Sequence, residues 1–144
     1  RKRILIEELS RFLDHGGESI VRAFWEQMRK YRVQNLGVLQ QVSRITNPSL
    51  RAALIGCTPS YFIFNPGDKT DLSLLAADIG LSSVAQETIL RYARPSQLAG
   101  HKYSEFCYVH LDPHHPICGT VRHVELPATA ESVPQTPDSP DPHE

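Results

Sequence analysis

Arg3-Ile4-Leu5-Ile6-Glu7-Glu8 is the stretch on which the reading of this chain turns. An unbroken run of branched apolar side chains, stopped by two carboxylates, predicts a short strand buried on both faces rather than an alternating surface strand. A strand of that kind needs helices on either side of its sheet, so the pattern to look for downstream is helix, strand, helix, strand. Residues 18–31 supply the first helix. Ile20, Val21, Phe24, Trp25, Met28 and Tyr31 recur at helical spacing, and Glu18, Arg22, Glu26 and Lys30 follow one another at i, i+4 on a solvated face. Residues 35–43 hold a second strand candidate (Leu36, Val38, Leu39, Val42), with Gln40 and Gln41 near its end. Asn47 and Pro48 predict an N-cap and first-turn proline opening a helix through Leu54, closed by Gly56. Tyr61, Phe62, Ile63 and Phe64 form a third strand candidate, stopped by Asn65-Pro66-Gly67-Asp68.

A helix between successive strands is the signature of an α/β fold with a parallel sheet and right-handed crossovers. Two further helices are expected over residues 71–79 and 83–92, separated by Gly80, with Ser83 and Gln86 at capping-box spacing. Beyond Pro95 the pattern changes. Tyr103, Phe106, Tyr108, Val109 and Leu111 precede a turn, Asp112-Pro113-His114-His115-Pro116, and Ile117, Val121 and Val124 follow it, which predicts a C-terminal β-hairpin. Residues 127–144 hold 5 of the 11 prolines, four acids and no Lys or Arg. That composition cannot bury enough apolar surface to offset the entropy of ordering, so a disordered tail is expected after a folded body of residues 1–126.

The whole chain of 144 residues carries a formal charge of −1, and the body alone has 15 basic against 12 acidic side chains. A balance of +3 excludes a strongly cationic, sequence-independent nucleic-acid clamp. No apolar run reaches eighteen residues, and the first residues show no signal-peptide core. Three cysteines, Cys57, Cys107 and Cys118, without a Cys-x-x-Cys pair, are the usage of a reduced cytosolic chain. The sequence opens on Arg1, with strand-forming residues arriving at once, and is expected to be cut from something longer.

A buried parallel strand delivers its last residues to the crevice where open α/β sheets bind ligands. Two acids there have the form of a Walker B element. In that role Glu7 would hold the water shell of a magnesium ion on a nucleotide, with no direct protein–metal bond, and Glu8 would polarise the water that attacks the γ-phosphate. The plain alternative is a strand leaving a core in charge. Gln40 and Gln41 lie where a neighbouring strand would end, the place of a glutamine that senses the attacking water; the alternative is a polar strand end in solvent. Arg29 and Arg32 flank the end of the amphipathic helix. A guanidinium there matches phosphate geometry and can serve as a finger supplied by a neighbouring subunit, while the charge ladder of the helix explains the same residues as a solvated face.

His110, His114, His115 and His123, with Cys107 and Cys118, raise a zinc reading, but no CxxC unit is present and turn polarity with buried thiols accounts for them. No metal ligand is assigned. A phosphate cradle of the Gly-x-x-x-x-Gly-Lys-Ser/Thr kind is also missing, since no Gly-Lys dipeptide occurs in the sequence.

Taken in order, these motifs resemble the C-terminal part of the type IV secretion and conjugative-transfer ATPases, the TraC-type branch of the FtsK and HerA motor superfamily. The resemblance rests on Ile4-Leu5-Ile6-Glu7-Glu8 with Arg11, then Arg29-Lys30, Val38-Leu39-Gln40-Gln41, Phe64-Asn65-Pro66, Gly80-Leu81 and the hairpin around Asp112-Pro113, and covers residues 1–126. It implies a partial P-loop NTPase fold of the RecA and HerA kind, from Walker B onward. Glu8, Gln41 and Arg29 would be its catalytic residues and Glu7 its cofactor contact. ATP and magnesium would be bound together with an N-terminal part of the domain that carries Walker A.

The parent would be a hexameric ring at the cytoplasmic face of the bacterial inner membrane, energising DNA transfer or export alongside other channel components, with nucleic-acid contact left open. Two departures stand out. Family members commonly carry Asp where Glu7 stands and Thr-Gln where Gln40-Gln41 stands; the extra methylene of Glu7 shifts its carboxylate by about one bond length. The competing expectation is a non-catalytic, ATPase-like module that docks onto secretion machinery, and a third is a small metal-binding protein built on the His-rich hairpin.

Overall fold

The computed structural model describes residues 2–94 and 103–124. The expected tail therefore lies outside the described residues. The chain runs β1 (Lys2–Ile6), α1 (Leu9–Asp14), α2 (Glu18–Gln27), a 3-10 turn (Met28–Tyr31), β2 (Val33–Gly37), a second 3-10 turn (Val42–Arg44), α3 (Pro48–Cys57), β3 (Ser60–Ile63), α4 (Lys69–Ile79), α5 (Ser83–Arg91), β4 (Tyr103–His110) and β5 (Ile117–Val124).

The fold is α/β, with two separate sheets. β1 and β2 pair in parallel, Lys2 opposite Val33 through Ile6 opposite Gly37. The third strand does not join them. β3 instead pairs antiparallel with β4, Ile63 opposite Cys107, and β4 pairs antiparallel with β5 from Tyr103 opposite Val124 to His110 opposite Ile117. The expected single parallel sheet is thus replaced by a parallel pair and a three-stranded antiparallel sheet. Side-chain chemistry favours this pairing of β3. On one face Ile63 joins Cys107 and Val109 in the core. On the other, Phe62 meets Phe106 and Tyr108 at ring-centroid distances of 5.7 and 5.3 Å. A second expectation also changes: β1 is not buried on both faces, since Leu5 is 54% exposed.

Helix ends follow local chemistry. Asn47 caps α3, its side-chain oxygen accepting from the Ser49 and Leu50 amides, with Pro48 in the first turn as expected; the helix then runs through Gly56 to Cys57. Asp68 caps α4, and Gly80, at φ 73°, closes it in the left-handed region. The cap of α5 is Ser82 rather than Ser83, its hydroxyl accepting from the Ala85 amide.

Two apolar clusters support the sheets. Leu9, Leu13, Val21, Ile45, Leu50 and Leu54 pack beside the parallel pair, with Ile6, Trp25 and Leu39 at the margin. Ile63, Leu72, Ile79, Ile89, Tyr92, Cys107 and Val109 pack between α4, α5 and the antiparallel sheet. Polar groups tie the two together. Buried Asp71 on α4 accepts from the Val42 amide at 3.0 Å and the Ser43 amide at 2.8 Å. Arg51 on α3 meets Asp78 on α4 at 2.6 Å, while on the parallel side Trp25 Nε1 of α2 donates to Thr58 Oγ1 at the end of α3.

Candidate functional site

The end of β1 is shaped by one residue of the neighbouring strand segment. The Val38 amide donates to the Ile6 carbonyl at 2.9 Å, and the Val38 carbonyl accepts from the Leu9 amide at 3.0 Å. Glu7 and Glu8, between those two anchor points, are held out as a two-residue turn with exposed side chains. Gly37 permits this closure. A Cβ there would lie 3.1 Å from both Leu9 and Trp25 side-chain atoms, so a larger residue would require those side chains to give by a few tenths of an ångström.

Helix α1, which the sequence reading did not anticipate, follows at once and adds a second wall. Leu5, Ile6, Glu7, Glu8, Arg11, Phe12 and His15 line an open cleft of about 610 Å³. Phe12 and His15 were not singled out by sequence. Their signal was the spacing of Glu8, Arg11, Phe12 and His15 at i, i+3, i+4 and i+7, which puts them on one helical face. Arg11 Nη1 reaches Glu8 Oε2 at 3.3 Å in a pair exposed to solvent. Among the described residues nothing hydrogen-bonds the Glu7 carboxylate.

Gln40 and Gln41 follow Val38 by two and three residues, on the same side of the parallel pair as the acids, but neither lines the cleft. Gln41 is exposed at the start of the Val42–Arg44 turn, and its Oε1 accepts from Arg44 Nε at 3.4 Å. The turn is anchored by the Asp71 carboxylate on the two amides that follow Gln41. Arg29 lies in the Met28–Tyr31 turn, and its side chain is outside the described ones. Arg32 follows with φ 56°, a left-handed residue that redirects the chain into β2. The structure therefore brings Glu7 and Glu8 together in one cleft and leaves Gln41 beyond its lining residues.

A triphosphate needs several backbone amides and a free cation aimed at its oxygens. The cleft supplies neither. Its only Arg or Lys among the lining residues, Arg11, is committed to Glu8, and the short helix α1 begins on the negative charge of Glu8. These residues alone do not fit ATP; they offer an uncommitted carboxylate and a paired one. Among the described residues no three His, Cys, Asp or Glu converge to hold a metal ion. In the hairpin, His110 Nδ1 lies 2.8 Å from Ser60 Oγ, and the His114 and His115 amides donate to Asp112 Oδ1, so Asp112 shapes the turn. Among the described residues no helix is long and apolar enough to cross a membrane.

Comparison with known proteins returns no match to any family model, curated protein or solved structure.

Proposed function

We propose that this chain is the acid-bearing, C-terminal portion of an ATP-hydrolysing motor of the type IV secretion and conjugative-transfer kind. Its phosphate-gripping element would be contributed by polypeptide outside these 144 residues. The observation that carries the reading is the Glu7-Glu8 turn held out at the C-terminal end of a parallel strand, clamped on both sides by Val38. That is where an open α/β sheet presents acids to a ligand. Glu7, without a hydrogen-bond partner among the described residues, has its carboxylate available to a hydrated cation. Glu8, paired with Arg11 in an exposed contact, would be the carboxylate to take a proton from the attacking water. Gln41 and Arg29 are assigned supporting roles by the resemblance, Gln41 on a turn that Asp71 anchors.

The exposed apolar side chains Leu5, Leu36 and Val38 support an additional packing segment. So does the outer edge of β2, which has no strand partner among the described residues. In the parent protein, Glu8→Gln is expected to abolish ATP turnover while sparing ATP binding. Unchanged hydrolysis removes Glu8 from the role of base.

The competing reading, a non-catalytic module that docks onto secretion components, is favoured by one observation: the cleft has no phosphate cradle of its own. Calorimetry with ATP on the 144-residue chain separates the two in one direction, because binding by this chain alone argues against a pure docking module.

A further inference from the structure

The hairpin brings together two thiols that the motor reading does not use. Cys107 is on β4 and Cys118 on β5, and the register sets Cys107 opposite Thr120 and Val109 opposite Cys118. Side chains alternate along a strand, so the two cysteines are diagonal neighbours on one face of the sheet. Their Sγ atoms are 3.8 Å apart, and both are free thiols. Cys107 is buried at 3% exposure, whereas Cys118 is exposed, as is every residue of β5. A disulfide requires about 2.05 Å between sulfurs. An outer strand with no further strand beside it among the described residues can yield the remaining distance.

We propose that Cys107 and Cys118 form a reversible oxidation site, a dithiol that a peroxide closes into a cross-strand disulfide. Exposure makes Cys118 the sulfur that a dissolved peroxide reaches first. Its thiolate attacks one peroxide oxygen and the O–O bond breaks. Cys118 becomes a sulfenic acid, and the departing hydroxide takes up the proton that Cys118 gave. The Cys107 sulfur then attacks the Cys118 sulfur, forming the S–S bond and expelling hydroxide, which leaves as water with the Cys107 proton. Two thiols and one hydrogen peroxide yield one disulfide and two waters. Burial first, and the neighbouring Cys118 second, push the Cys107 thiol up to about 11, which keeps it protonated at rest and assigns it the resolving step. A neutral sulfenic acid at Cys118 no longer opposes charge on Cys107.

Cys57, exposed at the end of α3, is the internal reference. The 144-residue chain is treated with hydrogen peroxide, denatured, alkylated with a maleimide and digested with trypsin, which cuts after Lys102 and Arg122 and leaves both cysteines on one peptide. The expected result is joint loss of two of the three thiols, with Cys57 still alkylated and peptide 103–122 lighter by two hydrogen masses. Dithiothreitol restores both thiols. Oxidation of Cys118 to sulfinic acid with Cys107 still alkylated overturns the proposal, and so does a bridge from either residue to Cys57. Cys118→Ser, at an exposed position, is expected to leave Cys107 fully alkylated after peroxide. Loss of the Cys107 thiol in that variant at the rate of the unaltered chain equally overturns it.

Discussion

In the parallel half, β1 and β2 with α1 to α3, the acids at the end of the first strand commit their polar groups differently from the side chains that pack the antiparallel half, β3 to β5 with α4 and α5. In the antiparallel half Asn65 Nδ2 donates to the Leu90 and Tyr92 carbonyls, the Tyr92 hydroxyl pairs with Thr120, and Ser60 pairs with His110. Each of these side chains holds one element against another. At the end of β1, by contrast, Glu7 and Glu8 are held in place by backbone bonds at Val38 while their carboxylates face solvent. A side chain spent on tertiary structure is unavailable for chemistry, so the carboxylates at the end of β1 stay open to a ligand in a way that Asn65, Tyr92 and Ser60 do not.

The sharpest way to break this comparison is to cut each core in turn. Leu50→Ala in the parallel half and Ile89→Ala in the antiparallel half each empty a position that is almost fully buried, and each is expected to cost about 2–5 kcal/mol. If the two halves unfold together, both variants shift one urea transition. If the sheets are energetically separate, the transition of the unaltered chain is broad, and each variant shifts only part of it. Fluorescence of Trp25 and backbone dichroism, followed in the same titration, tell these apart.

Next in size is the clamp between halves. Asp71→Ala leaves the Val42 and Ser43 amides without their acceptor and is expected to cost about 3 kcal/mol, with Asp71→Asn near half of that, since its amide oxygen can still accept. Equal stability of Asp71→Ala and the unaltered protein would show that the halves do not depend on this contact.

Alkaline pH loads the antiparallel half selectively. Burial is the main reason Tyr61 is pushed up to about 12, with the hydrogen bond from Thr58 opposing it and Asp78 adding to it. Its neutral form is the one favoured in the folded state. Between the ordinary phenol value near 10 and about 12, the unfolded chain loses protons that the folded chain keeps, so stability falls as pH rises through that window and is whole below it. Tyr61→Phe is expected to flatten that slope in pH-dependent urea titrations, while also losing the bond from the Tyr61 hydroxyl to the Ile55 carbonyl. An unchanged slope would remove Tyr61 as the cause.

The smallest effect is expected at the site itself. Glu8→Gln breaks only an exposed pair with Arg11 and should change folding stability by about 0.5 kcal/mol or less. That near-neutrality would let a loss of turnover under the proposed function be read as chemistry; a large destabilisation would mean that Glu8 serves structure, as the side chains of the other half do.

The elements whose cause is local were legible in the sequence. The Asn47-Pro48 helix start, the Gly80 break and the hairpin around Asp112 each depend on residues that touch within a few positions of one another, and each stands where the residues put it. Pairing was less legible. A run such as Tyr61 to Phe64 specifies extended backbone without specifying its neighbour, and the match of Phe62 and Ile63 to opposite faces of β4 is visible only once β4 is beside it. The second strand lies at Val33–Gly37, earlier than the apolar residues suggested, because Arg32 turns the chain and Gly37 must sit against Trp25 and Leu9. At the candidate site, the adjacent acids were readable from two letters of sequence. The wall added by Phe12 and His15 was not, because α1 is only six residues long and its pattern too brief to declare a period.

The outer edge of β2 has a consequence for how the protein behaves in a tube. Its backbone groups, with Leu36 and Val38 half exposed beside them, form a template on which a second extended chain could hydrogen-bond. Light scattering by the purified chain should therefore climb steeply with concentration, and a charged residue at position 36 should blunt that rise.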